Sequence, residues 1–407
     1  MPAANRLSRR SPASWAARAS LAIGIGVLGW ISCTHSLAMS VRTRNPVLAH
    51  KLAPAEGRVA GTFARHLLGA DADTRTRAKA AGIAEAALRH DPTSVPAAAT
   101  LGLHRQLSGD TAGARRWFGY SMRLSRRDLP TRLWALEEAV ARNDIPDVLA
   151  HYDIALRTSR AAPALLFPIL AGAISDESVR TPLTRKLLTR PAWAEQLVDH
   201  LAGSGTDPKS AALLFTALGR GGYPISEPAQ TGLINMLVSR DLIEDAWRFY
   251  ASRQRGVDRR RSRDPMFAKD ARAATAFDWT VADEGGVTSA IQNTGGKGFL
   301  EFSAPPLLGG VAVRQLQVLP PGAYVLEGRS TGSDLPPDAK PFWTLSCRNG
   351  PELGRIPVSG ASEAGRFSGM LRVPEGCAAQ MLVLTVPPTD APSGSAGQIT
   401  FLQLRPA

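Results

Sequence analysis

The sequence predicts a multidomain α plus β protein: an apolar N-terminal helix, an array of helices, then an antiparallel β-sandwich. Three observations predict it. Residues 19–39 contain no Asp, Glu, Lys or Arg. Residue types recur at an interval of 34 between Ala80 and Ala155. Gly and Pro supply 32 of the last 130 residues but only 35 of the first 277, which marks a change from helix-like to turn-punctuated, strand-like sequence. Charge divides at the same place, with 9 Lys/Arg against 11 Asp/Glu from Asp278 onward and 39 against 24 before it. A chain of 407 residues exceeds what one core usually serves. With 44% hydrophobic and 20% charged residues it is not a disordered polymer, and 3 Cys exclude a disulfide-dense scaffold or a structural zinc array.

Residues 1–18 form a basic start, with Arg6, Arg9, Arg10 and Arg18 and no acid before Glu56. Residues 19–39 follow, most apolar from Leu21 to Ile31. About 20 apolar residues cross a bilayer. The segment therefore reads as a retained single span, with a cleaved secretory signal ending at Ser36-Leu37-Ala38 as the alternative. Cys33 follows Trp30-Ile31-Ser32, a poor lipoprotein box. Arginines before the span place the N-terminus in the cytoplasm. The expectation is a single-pass inner-membrane protein with its bulk in the periplasm. Gly24-Ile25-Gly26-Val27-Leu28-Gly29 has the spacing of a dinucleotide-binding loop, but it lies inside the apolar stretch with no strand before it, so that reading is rejected.

Export gives the remaining cysteines a role. Cys347 and Cys377 are expected to pair in an oxidising compartment and tie two strands. All seven His precede residue 201, and no cluster of ligands accompanies the cysteines, so no metal site and no cofactor are expected.

The helical array covers residues 45–255. Ala80, Ala84 and Ala87 return as Ala114, Phe118 and Ser121, and again as Val148, Tyr152 and Ala155. Leu101-Gly102 takes the matching place in a first helix, and the turn Gly109-Asp110 recurs as Asn143-Asp144. Small residues let helices approach, and positions four apart share a face. This pattern resembles the tetratricopeptide repeat family, in degenerate form and most clearly from Gly61 to Ala162, with Arg105 where a tyrosine is usual. The resemblance implies stacked helix pairs whose surface binds envelope proteins. Beyond it, Leu165–Ile174, Thr184–Thr189, Trp193–Leu201, Ser210–Leu218, Gln230–Ser239 and Asp241–Ser252 read as helices, with Pro182, Pro191, Pro208 and Pro228 near their starts.

Residues 256–276 read as a basic, solvated linker. It belongs to a run of Arg253, Arg255, Arg259, Arg260, Arg261 and Arg263, which could instead hold phosphate or an acidic polymer. Nucleic acid is not an expected partner, because no binding motif accompanies the charge.

Residues 277–407 read as the sandwich. Strand-like runs are Gly298–Ser303, Val311–Leu319, Ala323–Gly328, Phe342–Cys347, Arg366–Val373, Ala378–Val386 and Gln398–Leu404, separated by Gly and Pro turns. In Val311–Leu319 the valines alternate with Arg314, Gln315 and Gln317, read as the polar face. The order, with Pro321 to Gly328 and Trp343 to Cys347, resembles galactose-binding or jelly-roll carbohydrate-binding domains. That resemblance implies sugar binding by exposed rings, for which Trp279 and Trp343 are the candidates; at alternating strand positions such rings are more often core. No catalytic residue is assigned. Glycoside hydrolysis needs two carboxylates on one bond; neighbours Asp283 and Glu284 point apart on a strand, and nothing around Glu301 or Glu327 singles them out. The domain has no His, and the chain has no GxSxG, HExxH or Walker sequence.

The expectation is a non-enzymatic, membrane-anchored periplasmic scaffold in exopolysaccharide or cell-envelope glycan assembly. Its partners would be envelope proteins and polysaccharide. A pure protein-interaction scaffold and a glycan-active hydrolase or lyase are the alternatives.

Overall fold

The computed structural model describes residues 12–69, 71–254, 256–269, 274–282, 285–294, 297–332, 335–360 and 365–407. Arg6, Arg9, Arg10, Arg255, Asp283, Glu284 and Gly296 lie outside them. The chain divides into two compact units, Met1–Pro163 and Ala164–Ala407, so the division falls inside the span read as one helical array.

The first unit opens with α1 (Pro12–Val41), a helix of 30 residues. Its segment Ala13–Val41 is long and apolar enough to cross a membrane. Leu21, Ile25, Leu28 and Trp30 are exposed along it, yet its C-terminal end is built into the fold. Ala38 is 0% exposed and packs with Ala49 and Val59, while Met39, Val41, Leu52 and Ala53 surround them. The partners come from α2 (Pro46–Leu52) and α3 (Gly57–Leu67). No break separates the apolar stretch from this cluster.

Helices α4 (Thr74–His90), α5 (Val95–Leu107), α6 (Thr111–Leu124), α7 (Leu129–Ala141) and α8 (Ile145–Thr158) follow. The 34-residue interval places Ala80, Ala84 and Ala87 on α4, Ala114, Phe118 and Ser121 on α6, and Val148, Tyr152 and Ala155 on α8, all buried. The turns repeat as well. Gly109 and Asn143 both adopt the left-handed conformation (φ 79° and 55°). Each is followed by an aspartate that caps the next helix, Asp110 accepting from Gly113 N at 2.8 Å and Asp144 from Asp147 N at 3.1 Å. Gly102 is buried on α5 because the Phe118 ring lies where its Cβ would be, 2.9 Å away, and that ring stacks on Trp134 at 4.6 Å.

The second unit begins within α9 (Ala162–Ala173), which is followed by α10 (Glu177–Leu188), α11 (Ala194–Ser204), α12 (Pro208–Arg220), α13 (Glu227–Ser239) and α14 (Ile243–Arg253). Pro208 and Pro228 sit in first turns, where no backbone N–H partner is lost. Pro182 does not start a helix; it lies inside α10, because Asp176 caps the helix by accepting from Ser178 N, so that α10 begins at Glu177, seven residues before the expected Thr184.

The sandwich has two five-stranded antiparallel sheets. The first orders β1 (Thr280–Val281), β4 (Gly310–Gln317), β9 (Gln380–Val386), β6 (Phe342–Cys347) and β7 (Glu352–Pro357) as β1-β4-β9-β6-β7. The second orders β2 (Thr288–Thr294), β3 (Lys297–Ala304), β10 (Ser395–Pro406), β5 (Gly322–Gly332) and β8 (Arg366–Val373) as β2-β3-β10-β5-β8. Leu300, Phe302, Leu326, Trp343, Leu345, Leu382, Leu384, Ile399, Leu402 and Leu404 fill the space between them. Cys347 and Cys377 are bonded, with Cα atoms 5.6 Å apart, tying the end of β6 to the approach to β9.

Residues 256–269 are not a solvated linker. Ser262 accepts the backbone N–H of Leu404 at 2.8 Å, and Pro265 accepts that of Leu402 at 2.9 Å, so the segment runs along β10. Arg263 is buried. It donates to Phe277 O (3.0 Å), Gln317 Oε1 (2.9 Å) and Leu316 O, and lies over the Trp247 and Phe277 rings. Burial pulls its guanidinium down to about 10, still protonated at neutral pH. Arg259 pairs with Glu244, Arg261 with Asp258, and Arg253 donates to Gln230. With Arg260 also reaching the Tyr324 hydroxyl, the run's described arginines are bonded within the protein, which removes the basis for reading it as an anion site. Gln315 and Gln317 are also corrected. Each is 0% exposed, and Gln315 faces the core opposite Leu382. They turn inward because Arg263 occupies that end of the sandwich.

Asp278 anchors the same junction, accepting from Tyr250 Oη (2.9 Å), Lys269 Nζ (2.9 Å) and Thr275 Oγ1 (2.7 Å). Burial alone would raise its carboxyl, but the Lys269 charge and these donors hold it below the usual range.

Two outcomes follow from these contacts. Gly82 has open space around its α-carbon and Gly102 has the Phe118 ring. Gly82→Ala should raise stability by about 0.5–1 kcal/mol through helix propensity, whereas Gly102→Ala should lower it by about 1–3 kcal/mol through overpacking, both read by urea unfolding. Because the Asp278 carboxyl is depressed on folding, its contribution is present above the unfolded value and disappears as pH falls through the folded one. Asp278→Asn should destabilise the second unit at neutral pH and remove part of its acid sensitivity below about pH 4, measured by thermal unfolding across pH.

Candidate functional site

Strand register decides which side chains leave the sandwich. On β3, Leu300 and Phe302 turn inward, so Phe299, Glu301 and Ser303 turn out. Their cross-strand partners Gln292 and Thr288 on β2 share that face, as do Gln398 on β10 and Thr331 on β5. On β5, Val325, Glu327, Arg329 and Thr331 point outward, opposite Met370, Ser368 and Arg366 on β8. The outer face of the second sheet is thus a grid of Gln, Glu, Arg, Ser and Thr with single apolar side chains set into it.

At one end of this face a cleft of about 620 Å³ is lined by Thr288, Glu301, Ser303, Thr331 and Gln398 among others. Gln292 donates to Glu301 at 2.7 Å, which orients the carboxylate. Farther along, Arg405 grips Glu327 with two bonds of 2.9 and 3.2 Å. The hydrogen bonds and charge of Arg405 hold the Glu327 carboxyl below its ordinary value.

Phe401 belongs to the grid because of a bulge. The register shifts between Ile399 and Phe401, so Ile399 and Leu402 both face the core. Phe401 is half-buried on the outer side, opposite Arg329. A strand with an unbroken period of two would have put it inside. Phe299 is half-buried on the same face. Rings flanked by amide, carboxylate and guanidinium groups suit a ligand with apolar faces and hydroxyl edges.

Trp279 and Trp343 are not on this face. They are 3% and 1% exposed, lie 5.7 Å apart within the core, and offer no ring to a sugar. Trp279 donates its indole N–H to Asp264 O at 2.9 Å. Glu301 and Glu327 do share the face, but not one bond. Glu301 lies two strands from Thr331, which is four residues from Glu327 along β5. Strand spacing and rise put their backbone positions about 16 Å apart, and Gln292 and Arg405 each hold one of the two carboxylates separately, so they do not form the pair at roughly 5–9.5 Å that glycoside hydrolysis uses. No group of three or more metal-ligating side chains occurs among the described residues. Two other clefts, each about 670 Å³, have their principal charged groups bonded internally. Lys269 makes three bonds in one, and Arg348 binds Asp241 in the other.

No protein-family model matches the chain, and no curated protein matches it. Among solved structures it is similar to the CBM22-1 xylan-binding domain of Paenibacillus barcinonensis Xyn10C, at 15% identity over 35% of this chain and 90% of that one, TM-score 0.24. It is similar to a CBM4 structure at 8% identity over 37% of this chain and 100% of that one, TM-score 0.26. It is also similar to PilW, a type IV pilus biogenesis factor, at 14% identity over 49% of this chain and 93% of that one, TM-score 0.26. Likenesses at these TM-scores carry no functional argument.

The two kinds of aromatic separate by experiment. Trp343→Ala should cost about 3–5 kcal/mol by emptying core volume, whereas Phe401→Ala should leave the thermal transition nearly in place while removing a ring from the outer face. A thermal scan of the two variants distinguishes them.

Proposed function

We propose that the protein is a non-enzymatic, membrane-anchored scaffold of cell-envelope or exopolysaccharide assembly. The α1 helix holds it in the inner membrane with its bulk in the periplasm. Its helices bind envelope proteins, and the outer face of the second sheet binds glycan. The observation that carries this reading is the continuity of α1, which is long and apolar enough to cross a bilayer and ends with Ala38 inside a folded core. Cleavage after Ala38 would cut through that helix and remove one of the side chains that close the Ala49–Val59 cluster. The Cys347–Cys377 bond supports an oxidising compartment. The outer grid, with Phe299 and Phe401 among polar side chains, supports a sugar ligand.

A pure protein scaffold is favoured by one specific feature. Leu165 and Ile169, four residues apart on α9, are 50% and 57% exposed, an apolar face of the kind that another protein covers.

Anchorage is tested by the intact mass of the purified protein and by carbonate washing of membranes. The expected result is a chain that keeps residues 1–38 and stays in the washed membrane. A mature chain starting at Met39 sinks the anchor. Retardation in gels containing envelope polysaccharides, reduced at least several-fold by Phe401→Ala, is the expected sign of glycan binding. Absence of retardation together with co-purification of a protein partner favours the second reading.

A further inference from the structure

Resting on the glycan-binding reading, we propose that the outer face of the second sheet selects an acidic polysaccharide, with Arg329 and Arg366 as the forks that grip its carboxylates. These two residues are direct cross-strand partners on β5 and β8, both exposed on the same face. Like charges placed directly opposite one another destabilise a sheet. Among the described residues neither guanidinium meets a carboxylate. The described acids of this face are already engaged, Glu327 by Arg405 and Glu301 by Gln292. Among the described residues the repulsion is therefore left uncompensated, and an anion bridging the pair would relieve it.

The charge is local rather than general. From Asp278 onward the sequence has 9 Lys/Arg and 11 Asp/Glu, a slight acidic excess. The outer face reverses that balance, with Arg329, Arg366, Arg372 and Arg405 against Glu301 and Glu327. Arginine suits a carboxylate better than lysine because its planar fork can donate two parallel hydrogen bonds. Phe401, opposite Arg329 on the adjoining strand, supplies a ring for a sugar face beside the acid group. Gln398 and Thr331 lie farther along the same rows and can meet hydroxyls. A ring next to paired forks matches a uronic acid residue better than a bare acidic side chain.

The test uses the full chain in detergent and gels containing polygalacturonate or its carboxyl-reduced counterpart. The expected result is retardation by the acidic polymer that exceeds that by the reduced one at least ten-fold in apparent affinity. It should weaken steeply with salt and fall at least ten-fold in Arg329→Gln/Arg366→Gln, whose thermal transition should be no lower than that of the unaltered protein, since the like-charge repulsion is gone. Arg355→Gln, which removes one positive charge from the first sheet, should leave it unaltered. Equal binding of the two polymers, an unaffected double variant, or equal loss in Arg355→Gln overturns the acid preference while sparing glycan binding. Displacement by polyglutamate as effective as by polygalacturonate, charge for charge, also overturns it. No retardation by either polymer overturns the acid preference, and absence of binding to neutral envelope glycans as well overturns the glycan reading beneath it.

Discussion

A buried arginine holds the second unit together. Removing a guanidinium from water is costly, and among the described residues no carboxylate contacts Arg263. Oxygens of Phe277, Leu316 and Gln317 and the rings of Trp247 and Phe277 surround it instead. Those groups come from α14, from the approach to β1 and from β4, so satisfying one cation brings three segments to one point. Gln315 completes the arrangement by accepting the Arg263 backbone N–H and donating to its carbonyl. Asp278, Lys269 and Tyr250 close the junction alongside. Helix α14 and the sandwich are therefore parts of one body rather than beads on a tether.

That constraint also explains where sequence reasoning succeeded and where it stopped. The period of 34 was legible because packing at a close helix crossing accepts few residue types, and its small and aromatic positions, from Ala80 to Ala155, all lie buried. The core strands were legible for a similar reason, since Leu382, Leu384 and Val386 alternate visibly. The strands that escaped notice, β1, β2 and β7, are all at sheet edges. An edge strand needs no full apolar face, so Thr288–Thr294 and the Gly- and Pro-containing Glu352–Pro357 carry little pattern.

The arginine run and the two glutamines were misread for one shared cause. Polar side chains in a strand usually mark the solvent side, and a cluster of arginines usually marks solvent or an anion. Here each explains the burial of the other, a relation that joins residues more than fifty positions apart. The outer-face ring was hidden differently. Phe401 keeps the phase of Ile399 in the sequence, and only the bulge at Thr400 turns it outward. Trp279 and Trp343 show the converse, large rings that suggest a ligand and serve the core instead. The candidate face was therefore not legible in the sequence: nothing around Glu301 and Glu327 singled them out, and its ring and its arginine pair required the register.

The unbroken passage of α1 into the first unit has a mechanical meaning. A bilayer helix leans when membrane thickness and apolar length disagree. With Ala38 locked among Ala49 and Val59, no swivel separates that lean from the folded helices that follow. With α1 as the proposed bilayer anchor, the first unit would tip with its stalk, and membrane thickness would become a lever on the angle at which these helices meet whatever stands beside them.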